Sequence, residues 1–252
     1  MHDVIVIGGG AGGYAAAIRA AQLGARVALA EEGQLGGICV NRGCIPTKAW
    51  LKAAETLRRI RAGEAFGIKA AVEKIDFETI LANKNTCSEK IRLGMEGLLQ
   101  NNGIEVLKGH ATFKNPVEIG IDGKLYPSRN FVIASGGHTQ TPDFKGLPKA
   151  LLTTDQILDM QKVPASVLVY GADTIAVEMA TLLNTFGSNV YIATDNRFVL
   201  PDEDHDSGQR LGQALSDDGI EIISRSTLRS VKFTPKGFVC ELAGKKKSRT
   251  VE

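Results

Sequence analysis

The chain has 252 residues, enough for two modest domains that each bury a core. Its 43% hydrophobic and 23% charged content is that of an ordinary soluble globular protein. With 30 basic and 28 acidic side chains the net charge is +2, so neither nucleic acid nor an anionic membrane is indicated, and 4 cysteines do not make a secreted disulfide scaffold.

Val4-Ile5-Val6-Ile7 reads as a short parallel strand, apolar on both faces. It follows Met1 too closely and is too short to be a signal core, and no apolar run approaches the ~20 residues of a membrane span. The expectation is a cytoplasmic enzyme domain. Gly8 to Gly13 (GGGAGG) comes next, then an alanine-rich helix from about Tyr14 to Leu23, a stop at Gly24, and a strand over Arg26 to Ala30 closing on Glu31. Strand, G-x-G-x-x-G, helix, strand, acid is a dinucleotide-binding unit. Gly8, Gly10 and Gly13 let backbone approach a pyrophosphate, which the helix N-terminus favours, and Glu31 stands where a ribose-binding acid is expected.

Directly behind it lies Gly36-Gly37-Ile38-Cys39-Val40-Asn41-Arg42-Gly43-Cys44-Ile45-Pro46-Thr47-Lys48. In a regular helix residues i and i+5 are about 7.5 Å apart along the axis, beyond the usual disulfide Cα separation of roughly 4.4–6.8 Å. A Cys39–Cys44 bridge therefore requires a distorted turn, which Gly43 and Pro46 accommodate. So small a ring adds little global stability, which favours a redox role. Two unlinked thiols remain the alternative. Zinc is weaker still, because only Cys87 and Cys240 are left as further cysteines, and no metal site is expected.

Further along, Ala49 to Arg61 suits a helix, and Phe77 to Asn101 a long one interrupted by Gly94 and Gly97. Ile104 to Leu107 and Val117 to Ile119 read as strands, Asp122-Gly123 as a hairpin turn, and Phe131 to Ala134 as a buried strand ending at Ser135-Gly136-Gly137. Pro142 to Pro148 marks a domain boundary.

The first plan then recurs at an offset of 163 residues: strand Val167 to Tyr170, turn at Gly171, helix Thr174 to Phe186, stop at Gly187, strand Val190 to Ile192. The ligand positions have changed. Gly10 maps to Asp173, Gly13 to Ala176 and Glu31 to Thr194, with Asp195 next door. Asp173 sets a side chain and a negative charge where a pyrophosphate would approach, so this fold is expected intact and its dinucleotide site impaired. Lys245-Lys246-Lys247 reads as a solvated turn.

Gly8 to Gly24, Glu31, the run from Gly36 to Lys48 and Ile133 to Gly137 resemble the flavoprotein disulfide reductases, and the helix Tyr14 to Gly24 looks most like their dihydrolipoamide dehydrogenase branch. The resemblance implies an α/β protein of two Rossmann-like dinucleotide-binding domains with parallel sheets. Residues 1–147 would bind FAD and carry the redox disulfide, and residues 148–252 would form an incomplete NAD-binding-like domain. It implies FAD held by Gly8, Gly10, Gly12, Gly13, Glu31, Gly37, Ala111, Ala134, Ser135 and Gly136, with Gly171 as the corresponding glycine of the second site. Cys39 would be the thiol that meets substrate and Cys44 the one against the flavin. Lys48 would lie near the flavin and pair with Glu178. The implied reaction oxidises a small or lipoyl-domain dithiol, with electrons passing to FAD and then NAD⁺. NAD binding itself is put in doubt by Asp173, Ala176 and Thr194. The resemblance covers the family's N-terminal half, so its dimer-forming domain and His-Glu acid–base pair are expected outside this chain. None of His2, His110, His138 and His205 matches that pair. A flavin-binding module with no NAD-linked turnover is the alternative.

Overall fold

The computed structural model describes residues 1–140, 151–235, 237–244 and 249–251. The boundary expected at Pro142–Pro148 and the lysine turn at Lys245–Lys247 lie outside these residues.

Two compact units divide the chain. One comprises Met1–Ala49 and Leu81–Thr139, the other Trp50–Ile80 and the described residues from Gln140 onward. Residues 50–80, which the sequence assigns to the first domain, therefore pack with the second. Trp50 is fully buried there and meets Phe77 and Phe186 edge-on, with ring centroids 5.1 and 6.3 Å away. Edge-to-face pairs of this kind contribute about 0.5–1.5 kcal/mol beyond their burial.

The first unit is a six-stranded sheet in the order β3-β2-β1-β6-β5-β4. Its strands are β1 (His2–Ile7), β2 (Val27–Glu31), β3 (Glu105–Lys108), β4 (Thr112–Asn115), β5 (Glu118–Ile121) and β6 (Lys124–Ile133). β1 pairs in parallel with β2 and β6, and β2 with β3, while β4, β5 and the first half of β6 form an antiparallel meander. The alternation of β-strand side chains sorts the core into two faces. Val6 and Leu29 point to a cluster completed by Ala17, Val40, Met95 and Leu99. Ile5, Ala28 and Ala30 point to the other, with Leu107, Ile119 and Ile121. The expected hairpin turn is present: Asp122 and Gly123 both have positive φ, 47° and 78°, and Ile121 pairs with Lys124 across it.

Of the helices in this unit, α1 (Ala11–Gln22) begins three residues before the expected Tyr14. Gly13 is held in the first turn by its packing against Gly8, which overrides its low helix propensity. α2 (Gly37–Arg42) and α3 (Cys44–Ala62) flank Gly43, and α3 continues into the second unit. α4 (Phe77–Asn101) has the bounds read from sequence, but it runs unbroken through Gly94 and Gly97 because buried Met95 and Leu99 anchor that stretch. Phe131–Ala134 departs from expectation, with Val132 38% and Ile133 70% exposed. A short apolar run reports a strand but not what covers its two faces.

The second unit has a three-stranded parallel sheet of β7 (Ser166–Tyr170), β8 (Asn189–Ala193) and β9 (Glu221–Ile223). The helices α5 (Thr154–Leu158), α6 (Thr174–Thr185) and α7 (His205–Asp217) accompany it. β10 (Ser226–Thr234), β11 (Gly237–Gly244) and β12 (Arg249–Val251) add an antiparallel meander that the sequence reading does not contain. α6 buries Ala176, Val177, Met179, Ala180, Leu182 and Leu183.

Candidate functional site

Three segments of the first unit meet at the C-terminal edge of its parallel strands, where open α/β sheets bind ligands. The first is the glycine turn from β1 to α1. Gly8 and Gly13 close it tightly: a Cβ on Gly13 would lie 1.8 Å from the Gly8 carbonyl oxygen, and one on Gly8 would lie 2.2 Å from the Ala134 oxygen. Only glycine fits at either position. Gly10 is the N-cap of α1, with φ −72° and ψ −175°, and no side chain caps that helix. The amides of Ala11, Gly12 and Gly13 therefore form an anion-binding end of the kind that receives a phosphate.

The second segment is the end of β2. The Glu31 carboxylate accepts from Gly9 N and Gly33 N, both at 2.7 Å, so backbone fixes both of its oxygens beside the glycine turn. Gly109 N donates to Glu31 O at 2.9 Å, which brings the 109–111 segment, including Ala111, to the same edge. Ala134, Ser135 and Gly136 follow β6, and Ala134 N donates to Ile7 O at 2.8 Å.

The third segment carries the cysteines. Gly36 N donates to Gly9 O at 2.8 Å and ties this loop to the glycine turn. At Gly37 (φ 57°) a Cβ would lie 2.9 Å from Gly10 Cα, so the two backbones are in direct contact. α2 then carries Cys39, Gly43 breaks the helix with φ −141° and ψ −111°, and Cys44 opens α3. The distorted turn inferred from the spacing is this break. Both cysteines are thiols here, Cys39 half-buried and Cys44 exposed, and their side chains hydrogen-bond to each other. That bond favours protonated Cys39 and is the main reason its thiol lies above the usual range. Burial adds to it, and the Cys44 backbone N–H opposes it more weakly. Lys48 is one helical turn on from Cys44 and exposed.

Sequence reasoning missed the residue that shapes this loop. The Asn41 amide donates to Leu35 O at 2.9 Å, Gly37 O at 3.0 Å and Gln34 O at 3.3 Å, and its Oδ1 accepts from Arg92 Nη1 of α4 at 3.0 Å. Asn41 was visible as an Asn two residues ahead of a glycine. Arg92, 51 positions away, left no local signal.

Gly171 and Glu178 belong to the second unit, Gly171 in its own glycine turn and Glu178 on the helix that follows. Gly171 has φ 130°, and Glu178 is half-buried on α6. The structure thus brings together the glycine-turn, Glu31 and cysteine-loop candidates of the first unit.

A glycine turn with an uncapped helix end, a backbone-fixed carboxylate beside it and a cysteine-pair loop bonded to that turn define the class: a flavoprotein disulfide reductase fold. The comparisons agree. Residues 2–251 match the pyridine nucleotide-disulphide oxidoreductase model, and the chain belongs to that family. It is 35% identical to the dihydrolipoyl dehydrogenase of Acholeplasma laidlawii, over 91% of this chain and 70% of that protein. It is 36% identical to that of Thermus scotoductus, over 93% of this chain and 50% of that protein. Among solved structures, the HOCl-induced flavoprotein disulfide reductase RclA from Escherichia coli superposes with TM-score 0.83 at 25% identity, covering 99% of this chain and 54% of that one. The chain thus spans about half the length of most of these relatives.

Proposed function

We propose that this chain binds FAD in the first unit and oxidises dithiols through Cys39 and Cys44, as a dihydrolipoamide dehydrogenase-like thiol–disulfide oxidoreductase. The observation that carries the reading is the placement of Cys39 and Cys44 on either side of a helix break whose leading segment, Gly36-Gly37, is bonded to the glycine turn.

The residues suit FAD. The uncapped end of α1 would take its pyrophosphate, Glu31 its ribose, and the backbone from Ala134 to Gly136 would border it, with Gly12, Gly37, Ala111 and Lys48 completing the set. When bound, FAD supplies a two-electron acceptor for the dithiol.

The protein's own step is thiol–disulfide exchange. One substrate thiolate attacks Cys39 Sγ of the Cys39–Cys44 disulfide, forming a mixed disulfide and releasing Cys44 as thiolate. The second substrate thiolate then attacks the substrate sulfur of that mixed disulfide and displaces Cys39. The substrate leaves as a disulfide, and two electrons remain in the Cys39–Cys44 dithiol. A dihydrolipoyl group, free or on a carrier domain, is the substrate class the relatives' names suggest. Lys48 enters as a charged group that tunes the flavin site, a role carried by the resemblance.

The visible spectrum of the purified chain, titrated with dithiothreitol under nitrogen, tests this. A flavin spectrum that gains a long-wavelength charge-transfer band is the expected result. A protein that stays colourless with added FAD overturns the reading.

A flavin-binding module without NAD-linked turnover is the second reading, and the capping of α6 by Asp173 favours it.

A further inference from the structure

The family's name implies a pyridine nucleotide at the second glycine turn, and the residues there do not fit one. We infer that the second unit of this chain is closed to NAD(H) and NADP(H), and that Asp173 is the residue that closes it.

The two turns are copies of one another, which makes the comparison internal. Gly10 and Asp173 are both N-caps, with φ, ψ of −72°, −175° and −73°, −179°. The backbone is the same, so the difference is the side chain alone. In the first copy no side chain caps the helix. In the second, Asp173 Oδ1 accepts from Ala176 N at 2.8 Å. A pyrophosphate needs those amides and would meet a carboxylate already bonded to one of them. It would have to displace that oxygen and then sit beside its charge.

The ribose position has changed as well. Where Glu31 presents a carboxylate, Thr194 is 1% exposed and its Oγ1 already accepts from Asn196 N at 3.2 Å. The neighbouring Asp195 is exposed, and Asn196 Nδ2 donates to it at 3.4 Å. The strap across the turn also differs. In the first copy Gly36 N donates to Gly9 O at 2.8 Å, and in the second Leu200 N donates to Ala172 O at 2.7 Å. A Leu-Pro pair thus lies where the first copy has two glycines.

Three independent positions depart from dinucleotide binding while strand, turn, helix and strand are kept. Val177, Met179, Ala180, Leu182 and Leu183 keep α6 packed, so the core of this copy is retained while its ligand contacts differ. The inference concerns the second unit alone and stands whether or not the first unit holds FAD.

The test is a titration of the chain with NADH and with NADPH, read by nicotinamide fluorescence, on the parent protein, Asp173→Gly and Asp173→Asn. The parent is expected to show no saturable binding up to millimolar nucleotide. Asp173→Gly frees the Ala176 amide and removes the charge, and should tighten NADH binding on the order of 100-fold, the scale of a like-charge clash at a binding site. Asp173→Asn keeps a capping oxygen without the charge and should show a smaller gain. If circular dichroism shows that the glycine variant has lost its helix, the asparagine variant decides, and no gain there overturns the assignment. Micromolar binding by the parent, or no gain in a folded Asp173→Gly, overturns it too. The flavin spectrum of the same samples reports separately on the first unit.

Discussion

Cys39 and Cys44 show how one contact sets the chemistry of a residue. Because their hydrogen bond favours the thiol form of Cys39, its folded-state pKa lies above the unfolded value. The sign of the linkage follows: this contribution to stability is fully present below the usual thiol pKa and is lost as pH rises through the raised one. Alkylation of Cys39 by iodoacetamide should therefore require more alkaline solution than alkylation of a free small-molecule thiol. In Cys44→Ala its pH profile should move down, as followed by peptide mass spectrometry. An unchanged profile would remove Cys44 as the cause. Asp173 teaches a related lesson. As an Asp directly before a helix it is a readable N-cap, worth about 0.5–2 kcal/mol to that helix, although charge repulsion is the property that the sequence comparison with Gly10 brings forward.

Between elements, the controlling contact is Arg92 on α4 to Asn41 on α2. Asn41 satisfies three carbonyls of the loop that places Gly37 against Gly10, and Arg92 fixes the orientation of its amide. Asn41→Ala removes the side-chain donor from those carbonyls and should cost about 1–3 kcal/mol, whereas Arg92→Ala removes one bond and should cost about 0.5–1.5 kcal/mol. Urea midpoints measure both. Hydrogen exchange at Gly36–Val40 should accelerate in each variant, and equal protection with the parent would show that the loop does not depend on this pair. Most elements were legible from their own residues. The bounds of α4 agree residue for residue, and the Asp122–Gly123 turn was evident because type I′ geometry needs two positive φ angles. Exposure was not legible: Val132 and Ile133 read as core and are open.

For the whole molecule, the prediction concerns which cofactor stabilises it. A ligand that binds only the folded form adds RT ln(1 + [L]/Kd), about 2.7 kcal/mol at 100 times Kd. FAD at that excess should raise the thermal midpoint of the chain, and NAD⁺ at the same concentration should leave it in place. A matching shift with NAD⁺ would contradict the closed second unit.

The sequence by itself determined the two strand–glycine–helix–strand units, their offset of 163 residues, and the cysteine pair with its break at Gly43. These features rest on local rules, side-chain periodicity and the few backbone angles that demand glycine. Only the tertiary structure decided that residues 50–80 pack with the second unit through Trp50, Phe77 and Phe186, and that Arg92 orients the redox loop. The tertiary structure likewise showed which amides at the second turn are already taken. The first two join residues far apart in the chain, and the third depends on where a short side chain finds its donor. Packing geometry fixes all three, and spacing along the sequence does not carry it.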